Sequence, residues 1–333
     1  MMLEHGGNLS YAAHHFGRPL HRWLDLSTGI NPHGWPVPPI PPELWQRLPQ
    51  EDTIMEAAQL ALGLPHALTV AGSQAAIQTL PRLRPRCRVG ISSLTYAEHA
   101  ASWLRQGHEV IFWSGNYPPD DVDILIIINP NNPTGSRIPL HSLWSWHANL
   151  AARGGWLIVD EAFMDATPED SLLHALPRFA QEALPEGLII LRSLGKFFGL
   201  AGARVGMVGA APALLERLAD HLGPWPVSAP SRWIASQAWS DTIWQESMRN
   251  KLSRESMRLQ TTLERYGLSP QGSTALFQWV VSHQARSLHE KLAHQGIWTR
   301  HFPLANGIRF GLPGDEPAWQ RLNDGLALVQ RLS

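Results

Sequence analysis

A chain of 333 residues is long enough to bury one large core or two modest ones without metal or disulfide staples. Its 27 basic and 28 acidic residues nearly cancel, so no long-range field favours nucleic acid or an anionic membrane, and a small molecule is the expected partner. Cys87 stands alone, which excludes a disulfide within the chain, and none of the sixteen histidines falls in an HExxH-type spacing, so no metal is expected.

The sequence opens without a basic-then-apolar leader. Its longest aliphatic run, Ile124 to Ile128, is far shorter than the ~20 residues that cross a bilayer, and the expectation is a soluble cytoplasmic protein. Residues 1–35 are rich in glycine and histidine and lead into a proline cluster from Pro32 to Pro42, which predicts an arm and linker outside any central sheet. From Arg88 to Ala210 short apolar runs recur: Val89–Ser92, Val110–Trp113, Ile124–Asn129, Trp156–Asp160, Leu188–Arg192 and Val205–Gly209. Segments with helical character separate them, so the fold class is α/β, with strands covered on both faces in a mostly parallel sheet. Ligands of such sheets bind beyond the carboxyl ends of the strands, so chemistry is expected just after each run. After Pro230 the pattern changes to a helical stretch, Ser231 to Tyr266, then strand-like Ala275–Val281 and Gly307–Gly311 around a helix near Ser287–Gln295. The expected organisation is an arm (1–35), a large domain (36–228) and a smaller α+β domain (229–333).

Of three lysines, Lys251 and Lys291 lie in polar helical segments, whereas Lys196 follows an apolar run in the glycine-rich turn Ser193-Leu-Gly-Lys196-Phe-Phe-Gly-Leu-Ala-Gly-Ala-Arg204-Val-Gly206. Lysine can form an imine and give it up; arginine stays charged and is no amine nucleophile. Asp160 ends a predicted strand, where a carboxylate can face a pyridinium nitrogen and keep it protonated. The turn Asn129-Pro-Asn-Asn132-Pro-Thr-Gly135 can aim the Asn132 amide inward. Ala71-Gly72-Ser73-Gln74 is a small-residue loop opening a helix, suited to a phosphate. Taken singly, each is an ordinary turn, cap or buried ion pair.

Their order along the chain is what distinguishes them. A phosphate loop, a turn asparagine, a strand-end aspartate and a lysine followed eight residues later by arginine resemble the fold-type I pyridoxal-phosphate (PLP) enzymes of the aminotransferase superfamily. The likeness runs from about Gly72 to Gly206 and continues at Gly307-Ile-Arg309-Phe-Gly311, similar to the strand that carries a substrate-carboxylate arginine. It implies a seven-stranded sheet, a homodimer, and PLP as cofactor. By position it implies that Lys196 carries the cofactor covalently, Asp160 binds the ring nitrogen and Asn132 the ring hydroxyl. Ser73, Gln74, Ser193 and Arg204 would hold the cofactor phosphate, and Tyr96 would stack on the ring with His99 nearby.

The arm narrows the choice. Glu4-His5-Gly6-Gly7-Asn8 and Leu26-Ser-Thr-Gly-Ile-Asn31-Pro32 resemble the threonine-phosphate decarboxylases of cobalamin biosynthesis more than the histidinol-phosphate aminotransferases. The resemblance implies that the arm joins the smaller domain and the active site, with His5, Asn31, Asn132, Arg300 and Arg309 meeting a phosphorylated amino acid. The expected reaction is decarboxylation of L-threonine O-3-phosphate; the alternative is a histidinol-phosphate-type transamination. Two positions depart from the pattern: Phe163 stands where relatives often have a tyrosine bonded to the ring oxygen, and Leu48 in Arg47-Leu-Pro49 replaces a tyrosine that reaches the neighbouring subunit's cofactor phosphate.

Overall fold

The computed structural model describes residues 5–50, 54–115, 117–174, 176 and 182–331. Its chain divides into a larger unit, residues 34–132 with 137–247, and a smaller one, residues 1–33, 133–136 and 248–333. In chain order α1 (Leu9–His15) and β1 (Leu24–Asp25) come first, in the smaller unit. The larger unit follows with α2 (Ile54–Leu62), β2 (Ala67–Val70), α3 (Ser73–Thr79), β3 (Arg88–Ser92), α4 (Ala97–Arg105), β4 (Glu109–Trp113), β5 (Ile124–Ile128), α5 (Leu140–Ala151), β6 (Trp156–Asp160), β7 (Leu188–Ser193), β8 (Gly206–Gly209), α6 (Pro212–Leu222) and α7 (Ala229–Ser240). The division falls within α8 (Thr242–Arg265).

The larger unit is built on a seven-stranded sheet in the order β2-β8-β7-β6-β5-β3-β4, parallel except for β8, which runs against both β7 and β2. The α/β expectation holds, and the six apolar runs of the sequence are six of these strands. The reason is plain in β5 and β6, where all five residues of each are buried. A run apolar on both faces can be satisfied only with helices on either side. On one face Val89, Ile126, Ile158 and Leu191 pack with Ile77 of α3 and Leu218 of α6. The seventh strand, β2, has no such run: Ala67-Leu-Thr-Val70 is four residues long and only half of it is buried.

The single helical stretch expected over 231–266 is two helices. Asp241 leaves helical geometry at φ −84°, ψ 73°, and its carboxylate accepts from the Trp244 N–H at 3.0 Å and from Trp35 Nε1 at 3.0 Å. An aspartate that caps a new helix in this way interrupts the old one. α7 packs on α2, so residues 229–247 group with the larger unit, whereas the sequence boundary lay at 228/229.

The smaller unit adds β9 (Gly272–Thr274), β10 (Phe277–Val281), α9 (Ala285–His294), β11 (Ile297–Trp298), β12 (Arg300–Phe302), β13 (Gly307–Gly311) and α10 (Glu316–Arg331). Four strands form an antiparallel sheet, β12-β13-β10-β9. Gly307 is required there, since a Cβ would stand 1.8 Å from the Trp279 ring. The arm is an integral part of this unit. β1 pairs with β11, and the Leu26 carbonyl accepts from the Gly311 N–H at 2.7 Å while the Leu26 N–H donates to the Trp298 carbonyl at 2.7 Å. α10, for which the sequence carried no expectation, buries Trp319, Leu322, Leu326 and Val329 along one helical stripe. Among the described residues no helix is long and apolar enough to cross a membrane.

Candidate active site

Strands β3 to β7 present their carboxyl ends along one edge, and β2, antiparallel to β8 as β8 is to β7, runs the same way. The residues singled out in this unit all stand on that edge. Ser73 and Gln74 follow β2, Tyr96 follows β3, and Asn132 follows β5. Asp160 and Ser193 end β6 and β7, while Lys196 and Arg204 lie in the turn that returns into β8.

The turn between β7 and β8 is anchored by its aromatic pair. Phe197 and Phe198 are fully buried against the Trp244 ring, and the Phe198 carbonyl accepts from the Trp35 N–H at 2.8 Å. Lys196 precedes that pair, half-buried, with Nζ 5.4 Å from the centroid of the Phe163 ring. Arg204 closes the turn in the left-handed region at φ 53°. Its guanidinium covers Gly72, where a Cβ would stand 2.5 Å from Nη2, and at Gly206 a Cβ would stand 2.5 Å from the Ser73 nitrogen. Two glycines thus let the β2 loop, the start of α3 and Arg204 close to within contact of one another.

Asp160 is 3% exposed. One carboxylate oxygen accepts from His99 Nε2 at 2.9 Å and the other from the Ala162 N–H at 3.0 Å. Tyr96 stands edge-on to His99 and donates to Gln74 Oε1 at 3.2 Å. Burial, then the negative charges of Glu98 and Asp160, push its phenol up to about 12, against the pull of Arg204, so it stays protonated. The Gln74 side chain is committed to Tyr96 and, at 2.7 Å, to Glu98. Sequence reasoning passed over Asn131 and Asn129. Asn131 binds the Leu94 carbonyl at 2.9 Å and the Thr95 hydroxyl at 2.5 Å, and Asn129 closes its loop on Ile138 at 2.9 Å. Leu48 is largely exposed.

The smaller unit gathers a second set. Arg300 and Arg309 are register partners on β12 and β13. Arg309 is buried over the Phe277 ring and donates to the Ser27 carbonyl. Burial, then repulsion from Arg300, lowers it to about 9, with Asp25 opposing. Arg300 reaches the His5 carbonyl at 3.5 Å. The two arm motifs meet here: the Gly7 N–H donates to Ser27 Oγ at 2.7 Å, and a Cβ on Gly6 would strike the Ser27 carbonyl at 2.4 Å. Asn31 is buried and accepts from the His33 N–H at 2.8 Å. Glu4, which opens the first motif, lies outside the described residues. Arg300 and His5 line a cavity of about 770 Å³ together with Asn8, Tyr11, His289 and His301. The last two were not foreseen: their rings stack at 5.8 Å, and burial, then His301, lowers His289 to about 4.

Comparison with known proteins agrees with this geometry. The model of the family "Aminotransferase class I and II" matches residues 57–323. A threonine-phosphate decarboxylase of Pseudomonas aeruginosa is 48% identical over 98% of this chain and 97% of its own length. Another from Sinorhizobium sp is 38% identical over 98% of both. Two solved structures share the fold at 19% identity. Histidinol-phosphate aminotransferase from Sinorhizobium meliloti, in complex with pyridoxal-5'-phosphate, has a TM-score of 0.80 and covers 99% of this chain and 95% of its own. L-threonine-O-3-phosphate decarboxylase from Porphyromonas gingivalis has a TM-score of 0.74 and covers 92% and 99%.

Proposed function

This chain belongs to the class I and II aminotransferase family, and on that premise we propose that it is a PLP-dependent decarboxylase of L-threonine O-3-phosphate, releasing CO2 and (R)-1-amino-2-propanol O-2-phosphate. The observation that carries the reading is full-length likeness to threonine-phosphate decarboxylases, arm included, at 48% and 38% identity.

The residues present suit the cofactor. A carboxylate held deep in the protein by one imidazole and one backbone N–H is suited to a cationic ring nitrogen, and Asp160 is such a group. A guanidinium over a glycine loop, with Ser73 just after β2 and Ser193 at the end of β7, the two strands that flank β8, suits a phosphate. When bound, the cofactor supplies an electron sink for the pair left behind when a bond at the substrate's Cα breaks. Lys196 holds it by the amine, Asp160 keeps the ring nitrogen protonated, Asn132 meets the ring oxygen, and Tyr96 covers a ring face as a neutral phenol. Ser73, Ser193, Arg204 and the Gln74 N–H take its phosphate.

Which bond at Cα breaks would depend on how the substrate is held, so a decarboxylase must grip it by a handle besides the carboxylate that leaves. His5, Asn31, Arg300 and Arg309 provide that handle in this reading. The two arginines divide the substrate's phosphate and carboxylate between them, with His5 at the phosphate and Asn31 near the substrate. A proton must then return to Cα, from Lys196, a nearby tyrosine or water. A homodimer in the cytoplasm, making the aminopropanol arm of the corrin ring, goes with this reading.

The test is incubation of PLP-loaded protein with L-threonine O-3-phosphate and no 2-oxoacid. Steady multiple-turnover CO2 release is expected, with Lys196→Arg inactive and unable to retain cofactor after borohydride. Absence of CO2, together with amino transfer from histidinol phosphate to 2-oxoglutarate, would replace this reading with the aminotransferase one.

A further inference from the structure

Immediately behind Asp160 and Ser193 lies a buried ionic cluster. Arg192 is 2% exposed, Glu161 0% and Asp165 4%. Arg192 Nη1 donates to Glu161 Oε2 at 2.7 Å, and Nη2 donates to Asp165. Glu161 also accepts from the Ser171 hydroxyl at 2.6 Å and from the Leu172 N–H at 3.0 Å, so both its oxygens are in use. Burial works against the Arg192 charge, and Asp165 and Glu161 together outweigh it, holding the guanidinium firmly protonated.

The cluster lies at the same end of the strands as Asp160 and Ser193 but on the other face of the sheet. Asp160 pairs with Leu191 across β6 and β7, and the Glu161 N–H carries the ladder one step further to the Leu191 carbonyl at 2.9 Å. Successive side chains of a strand point to opposite faces, so Glu161 and Arg192 lie on the face opposite Asp160 and Ser193. Two carboxylates around one guanidinium is an expensive way to fill space, since apolar residues of similar volume usually pack there at no loss of stability. What ions supply and apolar groups lack is direction. The planar fork of Arg192 ties the end of β7 to the end of β6 and to the turn that follows Phe163, where the backbone ladder stops.

We propose that Glu161, Arg192 and Asp165 are positioning residues: from the back of the sheet they fix the spacing between Asp160, Phe163 and the Ser193–Lys196 turn, and so set how tightly the cofactor is held without touching it. The inference rests on the cofactor assignment above.

The experiment separates stability from positioning with two variants. In the first, Glu161→Met, Asp165→Leu and Arg192→Met are combined, so that no charge is left unpaired; in the second, Arg192→Lys keeps the charge and loses the fork. Melting temperature, PLP affinity of the apoprotein, and the pH midpoint of the visible cofactor band are measured for each and for the parent. Both variants are expected to bind PLP about tenfold or more weakly, the scale seen for groups that orient metal ligands from behind, and to shift the band midpoint. The triple variant should do so while melting close to the parent. A folded triple variant with the parent's affinity and midpoint would overturn the proposal. If the triple variant does not fold, a folded Arg192→Lys protein with parental values would do the same. A parent that takes up no PLP would overturn the cofactor assignment and this inference together.

Discussion

His99 Nε2 lies 2.9 Å from Oδ2 of Asp160, and the two side chains are 2% and 4% exposed. The imidazole and the Ala162 N–H each hold one oxygen of the carboxylate. Asp160→Asn keeps the shape but removes the charge that the proposed function pairs with the ring nitrogen, and CO2 release should fall by a factor on the order of 10² to 10³ with PLP still bound. His99→Gln, which loses orientation only, should cost roughly tenfold to a hundredfold. Because His99 acts through Asp160, the double variant should be scarcely slower than Asp160→Asn alone. Steady-state CO2 release of the four proteins checks this, and losses that multiply would mean His99 acts independently.

Phe163 puts an apolar ring 5.4 Å from Lys196 Nζ, where relatives often place a phenol. With no hydroxyl to bond the ring oxygen, the protonated absorbance band of the lysine-bound cofactor should persist to higher pH than in Tyr-bearing relatives. Phe163→Tyr should lower the midpoint by about one pH unit, because a hydrogen bond to the charged oxygen favours the deprotonated form. A pH titration of the visible spectrum in the two proteins decides it; coincident midpoints would show that the residue at position 163 does not set the midpoint.

What could be read from the sequence is what leaves a local trace. Five consecutive buried aliphatics announced β5, and the glycine-rich segment around Lys196 announced the turn between β7 and β8. The arm was recognisable because Ser27–Pro32 and His5–Asn8 each carry unusual small residues, and Gly6 turns out to be needed against the Ser27 carbonyl. Partnerships left no trace, since periodicity reports burial and says nothing of which group across the sheet completes a bond. His99 is 61 residues from Asp160 and Arg192 is 31 from Glu161, and neither spacing is a motif. β2 escaped because a short, half-buried strand with a threonine lacks an apolar run. The break at Asp241 escaped because a single capping aspartate within a helical pattern also fits an exposed face.

Arg309 is a buried cation that faces another. Burial and Arg300 lower it to about 9 from 12.5, so at any pH below about 9 its charge opposes folding, and an anion beside it should relieve that opposition. Inorganic phosphate should therefore raise the melting temperature of the PLP-loaded protein, by up to about 2.7 kcal/mol of stability at a hundred times its Kd. Arg309→Met should abolish that response, since it removes the buried charge together with its hydrogen bond to the Ser27 carbonyl. Differential scanning calorimetry with and without phosphate tests both halves. A phosphate response that survives in Arg309→Met would place the anion elsewhere.

His289 gives the smaller unit a pH-dependent stability of defined sign. Its ring stacks on His301, and Nδ1 lies 2.8 Å from Thr299 Oγ1. Burial first, then His301 and Arg300, hold it at about 4 against 6.5 in an open chain, with Glu290 opposing. Between pH 6.5 and 4 the unfolded chain takes up a proton that the folded chain refuses. The stabilising contribution is thus fully present above pH 6.5 and is lost as the pH falls through that window, to an upper limit of about 3 kcal/mol before discounting for solvent. His289→Gln keeps a hydrogen-bonding group and cannot titrate. Its melting temperature should fall less steeply than the parent's from pH 6.5 to 4.5, with the two curves closest in slope above pH 7. Parallel curves throughout would show that the imidazole takes its proton as readily folded as unfolded, and that the stack on His301 imposes no electrostatic constraint.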